Sequence, residues 1–206
     1  MPITRANSCK VCRREGVSLC GKEKCAFKKR GYIPGVHGPK YLKSKPRLSS
    51  YGVQLREKQK AKRLFNLMEK QFRNLFLRAS DAKGNTAETF VQFLELRLDN
   101  VVYRLGFAKT RRQARQLVSH RFVTVNGQTV NIPSYQLSVG DVLSLNPTKE
   151  KKTFTTELKE RVNKQEAPGW LSLDRKTLEG KLTSVPQGDD LRQIFDPRLI
   201  VEFYSR

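Results

Sequence analysis

A chain of 206 residues with 37% hydrophobic content can bury one or two modest cores. Its formal charge of +22 at pH 7 is unevenly placed: Lys and Arg number 21 against four acids (Glu15, Glu23, Glu57, Glu69) over the first 80 residues, and 20 against 15 over the rest. Such one-signed charge repels itself unless a polyanion neutralises it, which points to nucleic acid; the lack of any run of about 18 apolar residues argues against a membrane-spanning or secreted protein.

All four cysteines fall between positions 9 and 25, as Cys9-x2-Cys12-x7-Cys20-x4-Cys25. Two chelating pairs of soft ligands suit one tetrahedral zinc ion, and four thiolates leave no position open for water, so the site reads as structural and not catalytic. A reducing cytosol favours metal over disulfides. A pair of disulfides, unpaired thiols or an iron–sulfur cluster are the other readings of the same residues. The segment is too short for a core of its own, so the metal would do the folding and hold Arg13, Arg14, Lys22 and Lys24 in fixed directions.

The runs Lys28-Lys29-Arg30, Lys40 to Arg47 and Lys58 to Arg63 follow, suited to displacing counterions from a phosphate backbone. Between the first two, Gly31-Tyr-Ile-Pro-Gly-Val-His-Gly-Pro39 reads as extended or turning, with His37 a hydrogen-bonding loop residue. From about Gln54 to Ala79, the spacing of Leu64, Leu67, Met68, Phe72, Leu75, Phe76 and Ala79 predicts one amphipathic helical region. Its opposite face carries Arg56, Lys58, Lys60, Lys62, Arg63, Lys70 and Arg73, turned outward toward phosphates.

A second helix is predicted from Asn85, boxed with Glu88, through Phe90, Phe93, Leu94, Leu98, Val101 and Val102 to a left-handed stop at Gly106. Thr110 and Gln113 cap a helix from about Arg111 to His120 that turns Ala114, Leu117 and Val118 inward. Arg111, Arg112 and Arg115 occupy another face near its N-terminus, where an anion is favoured and basic residues oppose the dipole. Reversing their charge is expected to cost nucleic-acid affinity and leave folding stability intact. The period then becomes two: Phe122–Val125 and Thr129–Ile132 flank Asn126-Gly127, a type I′ hairpin signature, and Asp141–Leu145 is a further strand entered through Gly140. Near the end, alternation of Leu199, Val201 and Phe203 fits a docked tail.

The succession Arg97-Leu-Asp-Asn-Val-Val-Tyr-Arg-Leu-Gly-Phe107, Thr110-Arg-Arg-Gln-Ala-Arg-Gln-Leu-Val118, Val123-Thr-Val-Asn-Gly-Gln128 and Val139-Gly-Asp141 resembles the S-four RNA-binding domain. With Pro34-Gly-Val-His-Gly38, Tyr51-Gly-Val-Gln-Leu-Arg-Glu-Lys-Gln59 and Leu199-Ile-Val-Glu-Phe-Tyr-Ser-Arg206, nearly the full chain resembles the bacterial-type S-four family of small-subunit ribosomal proteins. The resemblance implies a cytoplasmic component of the small ribosomal subunit that binds the five-way junction in the 5′ domain of its RNA and nucleates assembly. It further implies a place where messenger RNA enters, beside the third and fifth small-subunit proteins, with an influence on accuracy.

The fold expected is α+β. Residues 1–45 would form a zinc knuckle and basic arm, 46–96 a helical RNA-binding lobe, 97–160 the inserted module of helices and a small antiparallel sheet, 161–192 an irregular extension, and 193–206 a tail returning to the helical lobe. Metal ligands would be Cys9, Cys12, Cys20 and Cys25. Charge runs, helix faces and resemblance together give an RNA-binding set of Arg13, Arg14, Lys28, Lys29, Arg30, His37, Lys40, Tyr51, Gln54, Arg56, Lys58, Lys60, Lys62, Arg63, Arg73, Arg111, Arg112, Arg115 and Arg121. An RNA-modifying enzyme would need an acid, base or nucleophile set outside these motifs, and none stands out. A zinc-dependent DNA regulator would be expected to place a recognition helix after the ligands, where Phe27 to Pro39 is rich in Gly and Pro. Neither enzyme activity nor a small-molecule substrate is expected.

Overall fold

The computed structural model describes residues 9–40, 47–149, 157–162 and 166–206. Lys43 and Lys45 of the run from Lys40 to Arg47 lie outside them. Helices α1 (Cys9–Glu15), α2 (Ala26–Lys29), α3 (Ser50–Leu64), α4 (Glu69–Asp81), α5 (Thr86–Glu95), α6 (Leu98–Arg104) and α7 (Arg111–Ser119) come first. Strands β1 (Val123–Val125), β2 (Gln128–Thr129), β3 (Val142–Leu145), β4 (Leu171–Asp174) and β5 (Glu179–Leu182) follow, with a helical segment at 157–162 between β3 and β4, and helix α8 (Pro197–Tyr204) closes the chain. The architecture is α+β, divided into a first unit of Met1–Phe90 with Gln193–Arg206 and a second of Val91–Arg192. Among the described residues no helix is long and apolar enough to cross a membrane.

In the first unit the single helical region expected over 54–79 is two helices. Asn66 adopts a left-handed conformation (φ 55) after α3, the Asn66 N–H donates to the Arg63 carbonyl and the Leu67 N–H to that of Lys62. This six-to-one pattern ends a helix as a glycine would, with asparagine standing in for it. Met68, expected on the buried stripe, starts the next helix and is 41% exposed. Leu64, Leu67, Phe72, Leu75, Phe76 and Ala79 are buried as their spacing predicts. Phe90 meets Phe72 and Phe76 edge-on, with centroids 5.1 and 5.8 Å away.

The C-terminal segment, which the alternation of Leu199, Val201 and Phe203 marked as a docked tail, is a helix. Asp196 caps it by accepting from the Arg198 N–H, Pro197 fits the first turn, and Ile200 is the residue fully buried. It packs on α3. Gln54 donates to Glu202 (2.8 Å), Glu57 accepts from the Asp196 N–H (3.1 Å), and the Lys58 ammonium lies 4.5 Å from the Phe203 ring centroid. Burial works against ionisation of Glu69, but hydrogen bonds from Lys58 (2.6 Å), Lys62 (2.8 Å) and the Tyr204 hydroxyl (3.0 Å) outweigh it and hold the carboxyl down to about 2 from an ordinary 4.5. A carboxylate depressed in the folded state stabilises it above the unfolded value and loses that contribution as pH falls. Docking of α8 is therefore expected to loosen between about pH 4.5 and about pH 2, read as loss of amide protection over residues 197–204 ahead of the second unit. Protection unchanged across that window would contradict it.

The second unit corrects another helix. The continuous stretch expected from Asn85 to Gly106 breaks at Leu96 and Arg97, where Arg97 turns extended and bridges to Gln136. The first amides of α6 are satisfied from that loop: Leu98 N–H donates to the Tyr135 carbonyl and Asp99 N–H to that of Pro133. Asn85 caps α5 through the Ala87 N–H, with Glu88 accepting from its side-chain amide; Thr110 caps α7 through the Gln113 N–H. Gly106 (φ 83) ends α6 as predicted.

The sheet is antiparallel in the order β2-β1-β3-β5-β4. Asn126 (φ 50) and Gly127 (φ 78) make the expected primed turn, and the Asn126 side chain ties it to β3 by accepting from Val142 N–H (2.9 Å). The strand expected over 129–132 shortens to Gln128–Thr129, because the chain beyond turns back toward α6. The described residues of 161–192 are not all irregular: β4 and β5 form a hairpin that extends the sheet, and Trp170, Leu171, Leu178 and Leu182 join its core. A Cβ at Gly180 would overlap the buried side chain of Leu105, so β5 lies directly against α6.

Candidate nucleic-acid interface

The cysteines converge. The sulfurs of Cys9, Cys20 and Cys25 lie within 4.8 Å of one another, and buried Cys12 shares hydrogen bonds with Cys20 and Cys25. None is in a disulfide. Zinc–sulfur bonds of about 2.3 Å set tetrahedral ligands roughly 3.8 Å apart, so a small contraction would bring Cys9, Cys20 and Cys25 around one ion, with Cys12 beside two of them as the fourth donor. Burial pushes the Cys12 thiol up to about 12, with the neighbouring Cys20 adding to it. Burial also opposes ionisation of Cys25, but hydrogen bonds from Ser18, the Phe27 backbone, Cys20 and Cys12 hold it down at about 7. Four sulfurs this close do not all ionise unaided, and a divalent cation supplies the missing charge. The donor set therefore fits zinc.

Around the knuckle, Arg14, Lys28, Lys29, Arg30, His37 and Lys40 are exposed, and Arg13 is not equivalent to them. Its guanidinium donates to the Tyr32 carbonyl (2.9 Å) and stacks 4.7 Å from the Tyr32 centroid, so it braces the Gly/Pro loop. That loop is tight: a Cβ at Gly38 would overlap the Ile33 carbonyl oxygen.

On α3 the outward set separates. Gln54 and Lys58 are buried beneath α8 and face Glu202, Glu69 and the aromatic rings, a correction to their placement toward phosphate. Arg56 and Arg63 both reach Glu15, Lys60 pairs with Glu57 and Lys62 with Glu69, each cation remaining half-buried. Tyr51 is 49% exposed and tilts on Phe203 (5.6 Å), while Arg73 on α4 is exposed.

In the second unit a polar network lies under α7. Arg104 donates twice to Glu95 (2.8 and 2.9 Å), Asn100 donates to Glu95 (2.7 Å), and Asn100 Oδ1 accepts from Arg111 Nε (2.8 Å). The Arg111 guanidinium stacks on the Tyr103 ring at 4.5 Å. Arg97 grips Asp99 with two bonds (2.8 and 3.0 Å), and Arg115 approaches the same carboxylate at 3.6 Å. Burial pulls Arg111 and Arg115 below the ordinary guanidinium range, against the pull of Glu95 and Asp99. Four arginines thus share two carboxylates, a local excess of positive charge within a low-dielectric setting.

The three arginines of α7 consequently differ. Arg112 is exposed, while Arg111 and Arg115 are half-buried in the network, so the expectation that all three could be reversed without cost to folding does not hold. Arg121 is exposed and takes a left-handed conformation (φ 63) just past α7, in the place where glycine is easiest. Sequence reasoning passed over Glu15, Glu95, Asp99, Asn100 and Tyr103, the groups that orient the cations. Three of them stood inside the quoted motif from Arg97 to Phe107, where an asparagine and an aspartate amid apolar residues mark buried polar positions.

Two family models tile the first two-thirds of the chain: the ribosomal protein S4/S9 N-terminal domain over residues 4–95 and the S4 domain over residues 96–143. The chain is 47% identical over 204 residues to the small ribosomal subunit protein uS4 of Koribacter versatilis, covering 96% of each. It is 48% identical over 204 residues to uS4 of Caldicellulosiruptor bescii, again 96% of each, and 46% identical over 207 residues to uS4A of Myxococcus xanthus, 98% of each. Matches of this extent, over a basic helical unit followed by the network-bearing module, show that the chain belongs to the uS4 family of small ribosomal subunit proteins.

Proposed function

We propose that this chain is a cytoplasmic structural protein of the small ribosomal subunit that binds the five-way junction in the 5′ domain of small-subunit RNA early in assembly. It then lines the messenger entrance beside the third and fifth small-subunit proteins and influences accuracy. The family is structural and the chain is not an enzyme. Its cysteine cluster holds one zinc ion through Cys9, Cys12, Cys20 and Cys25, which shapes the segment 1–45 while 46–96 and 97–160 carry most of the RNA contact.

The observation that supports RNA binding most directly is the set of exposed cations carried by each unit. Arg14, Lys28, Lys29, Arg30, Lys40, Arg73 and Arg112 make no ion pair among the described residues. Leaving them uncompensated is destabilising by mutual repulsion, and a phosphate backbone removes that cost. Affinity for a transcript of the 5′ domain is expected to fall about a thousandfold or more between 50 and 200 mM salt. Replacing Arg14, Lys28, Lys29 and Arg30 by alanine should flatten the logarithmic salt slope by roughly three, since each released phosphate contact is worth about 0.7 to 0.9. A slope near zero for the parent chain would overturn the electrostatic reading.

A further inference from the structure

Glu15 has a role that neither charge counting nor the family motifs assign. It is the last residue of α1, the helix that carries Cys9 and Cys12, and its side chain has no exposed surface. One oxygen, Oε1, accepts from Nη1 of both Arg56 (3.3 Å) and Arg63, while Oε2 is buried without a hydrogen-bond partner among the described residues. Arg56 and Arg63 stand seven residues apart on α3, two turns along one face. A buried carboxylate with half its acceptor capacity unused is a poor stabiliser by itself. Two guanidiniums on one carboxylate also leave one positive charge over.

Each guanidinium is a planar fork of five N–H donors, and each gives Glu15 only one nitrogen. The two side chains keep 34% and 23% of their surface exposed. Anchoring one edge of the fork directs the other edges and removes rotamer freedom that binding would otherwise have to remove. We propose that Glu15 is a positioning residue that sets Arg56 and Arg63 as a two-armed clamp for RNA backbone phosphate, and that ties the clamp to the thiol-bearing helix. The inference rests on the RNA-binding reading above.

The decisive variant is Glu15→Gln in the full chain, tested on the 5′-domain transcript at fixed salt. It adds one positive charge, so electrostatics alone makes binding tighter and the salt slope steeper. Positioning makes it about tenfold weaker, the size of coupling between contacting groups. In an Arg56→Ala, Arg63→Ala background the same change should have no further effect, and Arg56→Lys with Arg63→Lys, which keep charge but lose the fork, should weaken binding in the same way. Binding by E15Q as tight as the parent overturns the proposal and leaves RNA binding standing. A loss that persists without the two arginines also overturns it, because the effect would then come from a disturbed knuckle. If the parent chain fails to bind the transcript, the RNA-binding reading falls first and this inference with it.

Discussion

Serine at both Cys12 and Cys20 is expected to unfold residues 9–40 while residues 91–192 keep their structure. The knuckle has little else to hold it: outside the cysteines, Leu19 is its one buried hydrophobic side chain among the described residues. Metal ligation in small modules of this kind contributes on the order of 10 kcal/mol of apparent folding free energy, far more than one leucine supplies. The second unit has its own core, from Leu98 and Val101 through Leu143 to Trp170 and Leu182, and needs none of these cysteines. Hydrogen exchange read by mass spectrometry, with zinc content measured on the same sample, checks both halves. Chelation of the parent protein should produce the same pattern. Persistent protection over residues 9–40 in a metal-depleted sample would rule out zinc as the organiser of this segment.

Glu95→Ala should cost about 3 to 5 kcal/mol, because it strips one partner from a buried ion pair and leaves the other uncompensated. Glu95 is fully buried and serves Arg104 and Asn100, and through Asn100 it steadies Arg111. Without it, four arginines would share the single carboxylate of Asp99. Urea unfolding measures the loss; a change under about 1 kcal/mol would mean that water reaches the network easily. The same reasoning separates the arginines of α7. Reversing Arg111 and Arg115 sets new carboxylates against Glu95 and Asp99 and should destabilise the fold, whereas Arg112→Glu should spare folding and lower RNA affinity alone.

What was legible in the sequence was local. Helix caps at Asn85 and Thr110, the stop at Gly106 and the Asn126-Gly127 turn are decided within four or five residues, and the structure places all of them where those residues indicate. The breaks at Asn66 and Arg97 were not legible, because the second depends on a loop near 135 that supplies carbonyls to α6. The hairpin of β4 and β5 was missed because its turn has no Gly, Pro or Asn; Leu178 takes the positive φ of 59 instead. The exposed cations of the candidate site could be read from charge runs. Which cations are spent inside the fold could not: Lys58 and Gln54 are covered by a helix some 140 residues later, and Glu15 lies 41 and 48 residues from its two arginines.

The packing of α8 on α3 has a consequence for how the protein is made. Residues 91–192 form a continuous stretch and can complete their core as soon as that stretch has been synthesised. The first unit cannot, since its contributors Gln193–Arg206 follow the whole second unit in the chain and are translated after it. Vectorial synthesis therefore lets the later unit mature first, and the basic N-terminal region waits, with the α3 face around Lys58 uncovered, until residues 193–206 have been made and can cover it.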